Sequence, residues 1–245
     1  MDLQGRVALV TGACGGIGRE VAGSLSRRGA AVFLVDLNEE ALRQLSRELG
    51  ADRAGWLAGN VASASYARQA AERCIGAFGK IDILVNVAGI FGKVQPTLST
   101  PEEDWDRVID VNLKGTFLFC QAVLPCMLDK HYGRIVSISS GIAKRGYAGA
   151  APYSASKAGI LGLSRALALE VAAQGITVNV VAPGVVDTPL PRSVSSAAEL
   201  AKRALGNPMG RIGLPADVAN AALFFLKDES SYVNGHTLYV NGGAI

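Results

Sequence analysis

Two residues four positions apart, Tyr153 and Lys157 in the run Tyr153-Ser154-Ala155-Ser156-Lys157, are the pair in this chain best suited to moving a proton. On a helix beginning near Pro152 they fall one turn apart on the same face. A phenol titrates at about pH 10 in water, so proton transfer at neutral pH calls for a nearby cation that stabilises the phenolate, and Lys157 is placed to be that cation. The pattern alone is common on solvated helix faces. It gains weight from what precedes it.

The first apolar run is followed by Thr11-Gly12-Ala13-Cys14-Gly15-Gly16-Ile17-Gly18, spaced GxxxGxG. Glycines let a backbone approach a pyrophosphate, and a helix N-terminus offers free N–H groups and the positive end of its dipole. A cluster in the first strand-to-helix turn is where a dinucleotide site is expected. Asp36 closes the second strand, where a carboxylate can accept hydrogen bonds from the adenosine ribose and can also cap the next helix. A 2'-phosphate there would face that carboxylate. Cys14, Gly15 and Leu37 stand where a basic residue would compensate. The cofactor expected is therefore NAD rather than NADP.

With TGACGGIG, Asn60-Val61, Asn86-Val87-Ala88-Gly89, Asn112, Ser140, Tyr153 with Lys157, Pro183-Gly184 and Thr188 in this order, the chain resembles the classical short-chain dehydrogenases/reductases from Val7 to its C-terminus. The resemblance implies hydride exchange between a nicotinamide and a secondary alcohol or ketone. It implies Ser140 as hydrogen-bond partner of the substrate oxygen, Tyr153 as general acid/base, Lys157 as modulator of the tyrosine and ribose ligand, and Asn112 as support for a water relay. Cofactor contacts are expected from Gly12, Gly15, Gly16, Ile17, Gly18, Asp36, Leu37, Asn60, Val61, Asn86, Ala88, Gly89, Tyr153, Lys157, Pro183, Gly184, Val186 and Thr188. Substrate contacts are expected from Ser140, Ile142, Tyr147, Tyr153 and Val185, with Ile90 to Val94, Gly141, Leu190 and Met209 nearby. Two positions depart from the family pattern. Asn60 replaces an acidic residue beside the adenine, and Val87 replaces a second asparagine; neither belongs to the proton-transfer set.

The elements that must hold these residues alternate along the chain: RVALVT, AVFLVD, AGWLAGNV, IDILVNVAG, RIVSIS, ITVNVVA and TLYVNG read as strands separated by helical patterns. Such alternation predicts right-handed crossovers and one Rossmann-type, doubly wound parallel sheet of about seven strands, an α/β fold with helices on both faces. A single domain over residues 1–245 is expected, with a small helical flap at about 188–214 as a candidate lid. The helical run from Glu102 to Asp129 is apolar on more than one face, with Val108, Val111, Leu113, Phe117, Phe119 and Val123. That pattern, with the family resemblance, predicts a homotetramer.

Composition sets the outer bounds. With 49% hydrophobic residues, 18% charged and a formal charge of +3, the chain can bury a large core and carries no basic footprint for nucleic acid. No signal peptide or membrane span is read, so a cytoplasmic protein is expected. Four dispersed cysteines without a CxxC pair, and two histidines away from them, predict reduced thiols and no metal site. The apolar residues around the expected reaction centre suggest a hydrophobic ketone or alcohol as substrate; Lys93, Lys144 and Arg145 could instead receive a carboxylate or a phosphate-bearing carrier. Within the resemblance, ITVNVVAPG and TLYVNGG are most similar to 3-oxoacyl-[acyl-carrier-protein] reductases, and an NADPH-dependent 3-oxoacyl-ACP or CoA reductase is the second reading. Members dedicated to carrier protein tend to have arginines where His131 and Gln174 stand here. A non-catalytic, nucleotide-sensing scaffold is the alternative of another class, and the intact proton-transfer residues count against it.

Overall fold

Seven parallel strands form one sheet in the order β3-β2-β1-β4-β5-β6-β7 in the computed structural model, which describes residues 2–244. The strands are β1 Val7–Thr11, β2 Ala31–Asp36, β3 Ala54–Ala58, β4 Ile83–Asn86, β5 Gly133–Ile138, β6 Ile176–Pro183 and β7 Thr237–Val240. β1, β4, β5 and β6 are buried along their whole length, as parallel strands covered on both faces must be. β3 and β7 close the edges and are only half-buried.

Strand side chains alternate between two cores. Ala8 and Val10 point to a cluster completed by α1 (Gly16–Arg27), α2 (Glu39–Leu49) and a C-terminal helix through Val218, Leu223 and Leu226. Val7 and Leu9 point to the opposite cluster, filled by Tyr66 and Cys74 of α3 (Ala64–Phe78), Phe119 and Val123 of the central helix, and Leu167 and Val171 of the tyrosine-bearing helix. Local signals fix the ends of these helices. Asn38 accepts a bond from Ala41 N at 3.0 Å to cap α2, Ser63 caps α3, and Gly79 ends α3 in the left-handed region at φ +79°.

The expected long helix from Glu102 is helical throughout but not uniformly so. It comprises α4 (Glu102–Ile109), a π turn over Asp110–Lys114 and α5 (Gly115–Asp129). By length and composition this run could cross a membrane, an exception to the sequence expectation that none could. Its apolar residues are largely spent on the core: Val108, Phe119 and Val123 are buried, whereas Phe117 is exposed. Beyond β5 come the short α6 (Ile142–Arg145) and α7 (Ala151–Val171), which carries Tyr153 and Lys157. The expected flap comprises α8 (Pro189–Arg192) and α9 (Ala197–Leu205), the latter closed by a Ser196–Glu199 capping box. The last helix is α10 (Pro215–Leu226).

Candidate active site

The sheet order reverses between β1 and β4, and the loops leaving the carboxyl ends of these strands open a cleft of about 610 Å³. Its floor is the glycine turn. A Cβ on Gly12 (φ +63°) would lie 2.7 Å from the Ala88 backbone, and one on Gly18 would lie 2.0 Å from the Gly12 carbonyl oxygen. Only glycine packs the turn this tightly. No side chain caps the first turn of α1, and Gly16, Ile17 and Gly18 line the cleft. Free backbone N–H groups and the positive helix end are therefore available to a phosphate.

At the far end, Asp36 accepts hydrogen bonds from Cys14 N at 2.9 Å and Leu37 N at 2.8 Å, which fix its carboxylate beside the turn. Asn60 also lines this end, with its side-chain oxygen accepting from Ala62 N at 2.9 Å. The Thr11 hydroxyl accepts from the backbone N–H groups of Val87 and Ala88 at 3.2 and 3.3 Å. A glycine-lined cradle with uncapped amides and a carboxylate at the opposite end fits a dinucleotide in shape and donor chemistry.

Ile17, Val87, Gly89, Thr188 and Leu190 continue into an inner chamber of about 110 Å³, lined also by Ser140, Ile142, Tyr153, Lys157, Pro183, Gly184, Val185 and Val186. Tyr153 is buried against Val108, Ile142 and Ala150, and Phe91 stacks on its ring with centroids 4.4 Å apart. This apolar packing pushes the phenol up to about 12, against a hydrogen bond with Ser140 that favours the anion. Ser140 Oγ itself accepts from Ile142 N at 3.2 Å. Lys157 donates from Nζ to the Ile138 carbonyl at 2.9 Å and lies 5.7 Å from the centre of the Tyr153 ring. Burial brings its amine down to about 8. Loss of water around Tyr153 thus outweighs the help of Ser140 and favours the neutral phenol. The tyrosine is held neutral.

The π turn explains the position of Asn112. Widening the helix carries this buried side chain to the Gly89–Ile90 strand exit, where Oδ1 accepts from Ile90 N at 2.8 Å and Nδ2 donates to Ile90 O at 2.9 Å. The same amide donates to Ser156 Oγ at 3.0 Å, and Ser156 donates to Tyr153 O. One side chain thus ties the β4 exit loop to the helix bearing Tyr153 and Lys157.

Of the expected contacts, Asn86 and Tyr147 line neither the cleft nor the inner chamber, and of the residues expected nearby Gly92, Lys93, Val94, Gly141 and Met209 do not either. Asn86 lies beneath the cleft, donating toward Ser137 Oγ and Cys120 Sγ inside the sheet. Met209 lines a separate surface cavity with Val185, Val186 and residues of α10 and β7. Tyr147 is edge-on at 6.1 Å to Phe91, which does line the inner chamber. Lys93 is paired with Asp104 at 3.2 Å and Lys144 lies over Tyr239, so neither is directed to the chamber. Besides Lys157, the cation that lines it is Arg203 of α9, which the sequence reading passed over. The only available signal was a basic residue within the amphipathic flap segment AAELAKRAL.

Residues 12–244 match the family model described as enoyl-(acyl carrier protein) reductase. The chain is 41% identical to the 3-oxoacyl-[acyl-carrier-protein] reductase FabG of Escherichia coli, over 99% of this chain and 98% of that one. It is 42% identical to the (2S)-[(R)-hydroxy(phenyl)methyl]succinyl-CoA dehydrogenase subunit BbsD of Thauera aromatica, over 99% and 98% of the two chains. A solved short-chain dehydrogenase/reductase from Brucella melitensis, described as a glucose/ribitol dehydrogenase, superposes with a TM-score of 0.92 at 32% identity, over 99% of this chain and 97% of that one. The chain belongs to the short-chain dehydrogenase/reductase family. It is an oxidoreductase of the NAD(P)-dependent ketoreductase type.

Proposed function

We propose that this protein reduces the ketone of 3-oxoacyl thioesters, with acyl-carrier protein or coenzyme A as the thiol and NADH as the preferred reductant. The observation that carries the substrate class is the 41% identity over nearly the full length to a 3-oxoacyl-[acyl-carrier-protein] reductase. This reverses the order drawn from the sequence, which placed an apolar ketone first on the character of the lining residues alone. An apolar lining suits the acyl chain of a thioester equally well. His131 and Gln174, in place of arginines, favour coenzyme A over carrier protein as the thiol. The preference for NADH rests on Asp36, whose carboxylate would oppose a 2'-phosphate.

A bound nicotinamide would supply the hydride. Ser140 and Tyr153 then hold the substrate oxygen between two hydroxyl groups, orienting the carbonyl and donating to it as negative charge develops. Tyr153, neutral in its apolar packing, delivers its proton to the nascent alkoxide, a much stronger base. Lys157, beside the ring, stabilises the phenolate left behind. Asn112 fixes the Ile90 loop and, through Ser156, the tyrosine-bearing turn. Leu190 and Pro191 of α8 and Arg203 of α9 line the inner chamber, which places these two helices to act as its lid.

The exposed Phe117, Leu128, Leu169 and Phe224 supply apolar surface for a homotetramer built through α5, α7 and α10. We take the protein to act in the cytoplasm. The test is NADH and NADPH oxidation with acetoacetyl-CoA, acetoacetyl-carrier protein, and alicyclic and aryl ketones. Higher kcat/KM for NADH with a thioester is the expected result; turnover confined to simple ketones restores the apolar-ketone reading.

A further inference from the structure

Arg203 is the only charged residue besides Lys157 among those lining the inner chamber, and no carboxylate joins them. Its Nη2 donates to the Tyr147 hydroxyl at 2.8 Å, and its guanidinium carbon lies 5.4 Å from the Tyr147 ring centre. Tyr147 meets Phe91 edge-on, and Phe91 stacks on Tyr153. Two rings, Tyr147 and Phe91, therefore stand in series between the guanidinium and the phenol.

The acidic residue one turn earlier, Glu199, accepts from the backbone N–H and the hydroxyl of Ser196 through one carboxylate oxygen, and attracts Arg203 at longer range without forming an ion pair with it. Tyr147 occupies one of the five N–H donors of the guanidinium. A half-buried cation that faces an apolar chamber without a carboxylate gains most from an anion that arrives with the ligand. Guanidinium geometry suits a planar carboxylate or a phosphate oxygen pair.

We propose that Arg203 binds an anionic oxygen group of the substrate remote from the reacting ketone, so that charge on the substrate sets specificity and draws α9 down over the chamber. The group is a carboxylate at the far end of the acyl chain or a phosphate of the thiol carrier. The inference rests on the ketoreductase reading above and extends it to a charged substrate class.

The test compares wild type, Arg203→Lys and Arg203→Gln on 3-oxoadipyl thioesters and their terminal methyl esters. Each is presented both as the coenzyme A thioester and as the N-acetylcysteamine thioester, which has no phosphate. With an acyl carboxylate, Arg203→Gln raises KM for the acids about 10- to 100-fold on both carriers, leaves kcat within about threefold and leaves the esters within about twofold; Arg203→Lys is intermediate. With a carrier phosphate, the loss follows coenzyme A whatever the acyl charge and vanishes with N-acetylcysteamine. Equal losses on acid and ester with both carriers, or no loss on any, overturn the proposal and leave Arg203 a structural partner of Tyr147. If no thioester is reduced, the thioester reading fails separately. Calorimetric titration of 4-oxo-4-phenylbutanoate and its methyl ester into the protein–NADH complex then decides the role of Arg203: binding of the acid weakened at least tenfold by Arg203→Gln sustains it, and unchanged binding overturns it.

Discussion

Replacing Asp36 by alanine should turn the cofactor preference from NADH toward NADPH, and the size of the change follows from the site. A carboxylate and a phosphate about 4 Å apart repel by about 1 kcal/mol per unit charge in a water-like medium and about 4 kcal/mol near a protein surface. Asp36 is half-exposed, so about 1–3 kcal/mol is appropriate, or roughly 5- to 150-fold against NADPH in the wild type. Removing the side chain abolishes that repulsion and frees Cys14 N, Leu37 N and Asn38 N, the three donors Asp36 now holds. NADH meanwhile loses charge-assisted bonds from its ribose worth about 1.5–3 kcal/mol. The effects multiply, so the ratio of kcat/KM for NADH to that for NADPH should fall about 10²- to 10⁴-fold. Initial rates at varied cofactor with one saturating ketone measure it. A wild type that prefers NADPH, or a ratio that moves less than about threefold in Asp36→Ala, refutes the electrostatic account of Asp36.

Tyr153→Phe should retain NADH binding within about twofold, by fluorescence titration, and lose turnover by about 10²- to 10⁴-fold, the usual worth of a proton donor. Ketone reduction should decline as pH rises through about 8, where buried Lys157 gives up its proton; the limiting loss in kcat/KM is about tenfold per pH unit, and a flat profile to pH 9.5 would remove the lysine cation from the reaction. Gly15→Ala and Gly18→Ala form a contrast, since the added Cβ meets its nearest neighbour at 3.4 Å in the first case and at 2.0 Å, on a backbone oxygen, in the second. NADH affinity should stay within about threefold for the former and drop at least tenfold for the latter, by calorimetry on the folded variants.

The alternation of β-branched runs with helical patterns was sufficient to place all seven strands, because parallel strands buried on both faces leave continuous apolar segments. The glycine turn was legible for a similar reason: a steric demand for the absence of a side chain is written directly in residue type. Asn112 was named from the family pattern, but its geometry depends on a π turn that has no period of its own in the sequence. Arg203 was missed because its importance comes from where the flap folds, a long-range placement unrelated to its neighbours in the chain. Asn86 was assigned to the cofactor through its company in a motif; that its side chain donates inside the sheet toward Ser137 and Cys120 depends on strand pairing, which the motif does not carry.

The widened turn at Asp110–Lys114 also governs how this helix can change over evolution and in engineering. An α-helix advances about 100° per residue, so excising one residue to restore regular winding would rotate α5 by roughly that angle relative to α4. Phe119 and Val123 would swing away from the sheet and exposed Phe117 would move from its present outer face. A single-codon deletion that looks harmless within a continuous helix would therefore act as a frame shift in three dimensions, decoupling the residues that hold the Ile90 loop from those that form the core.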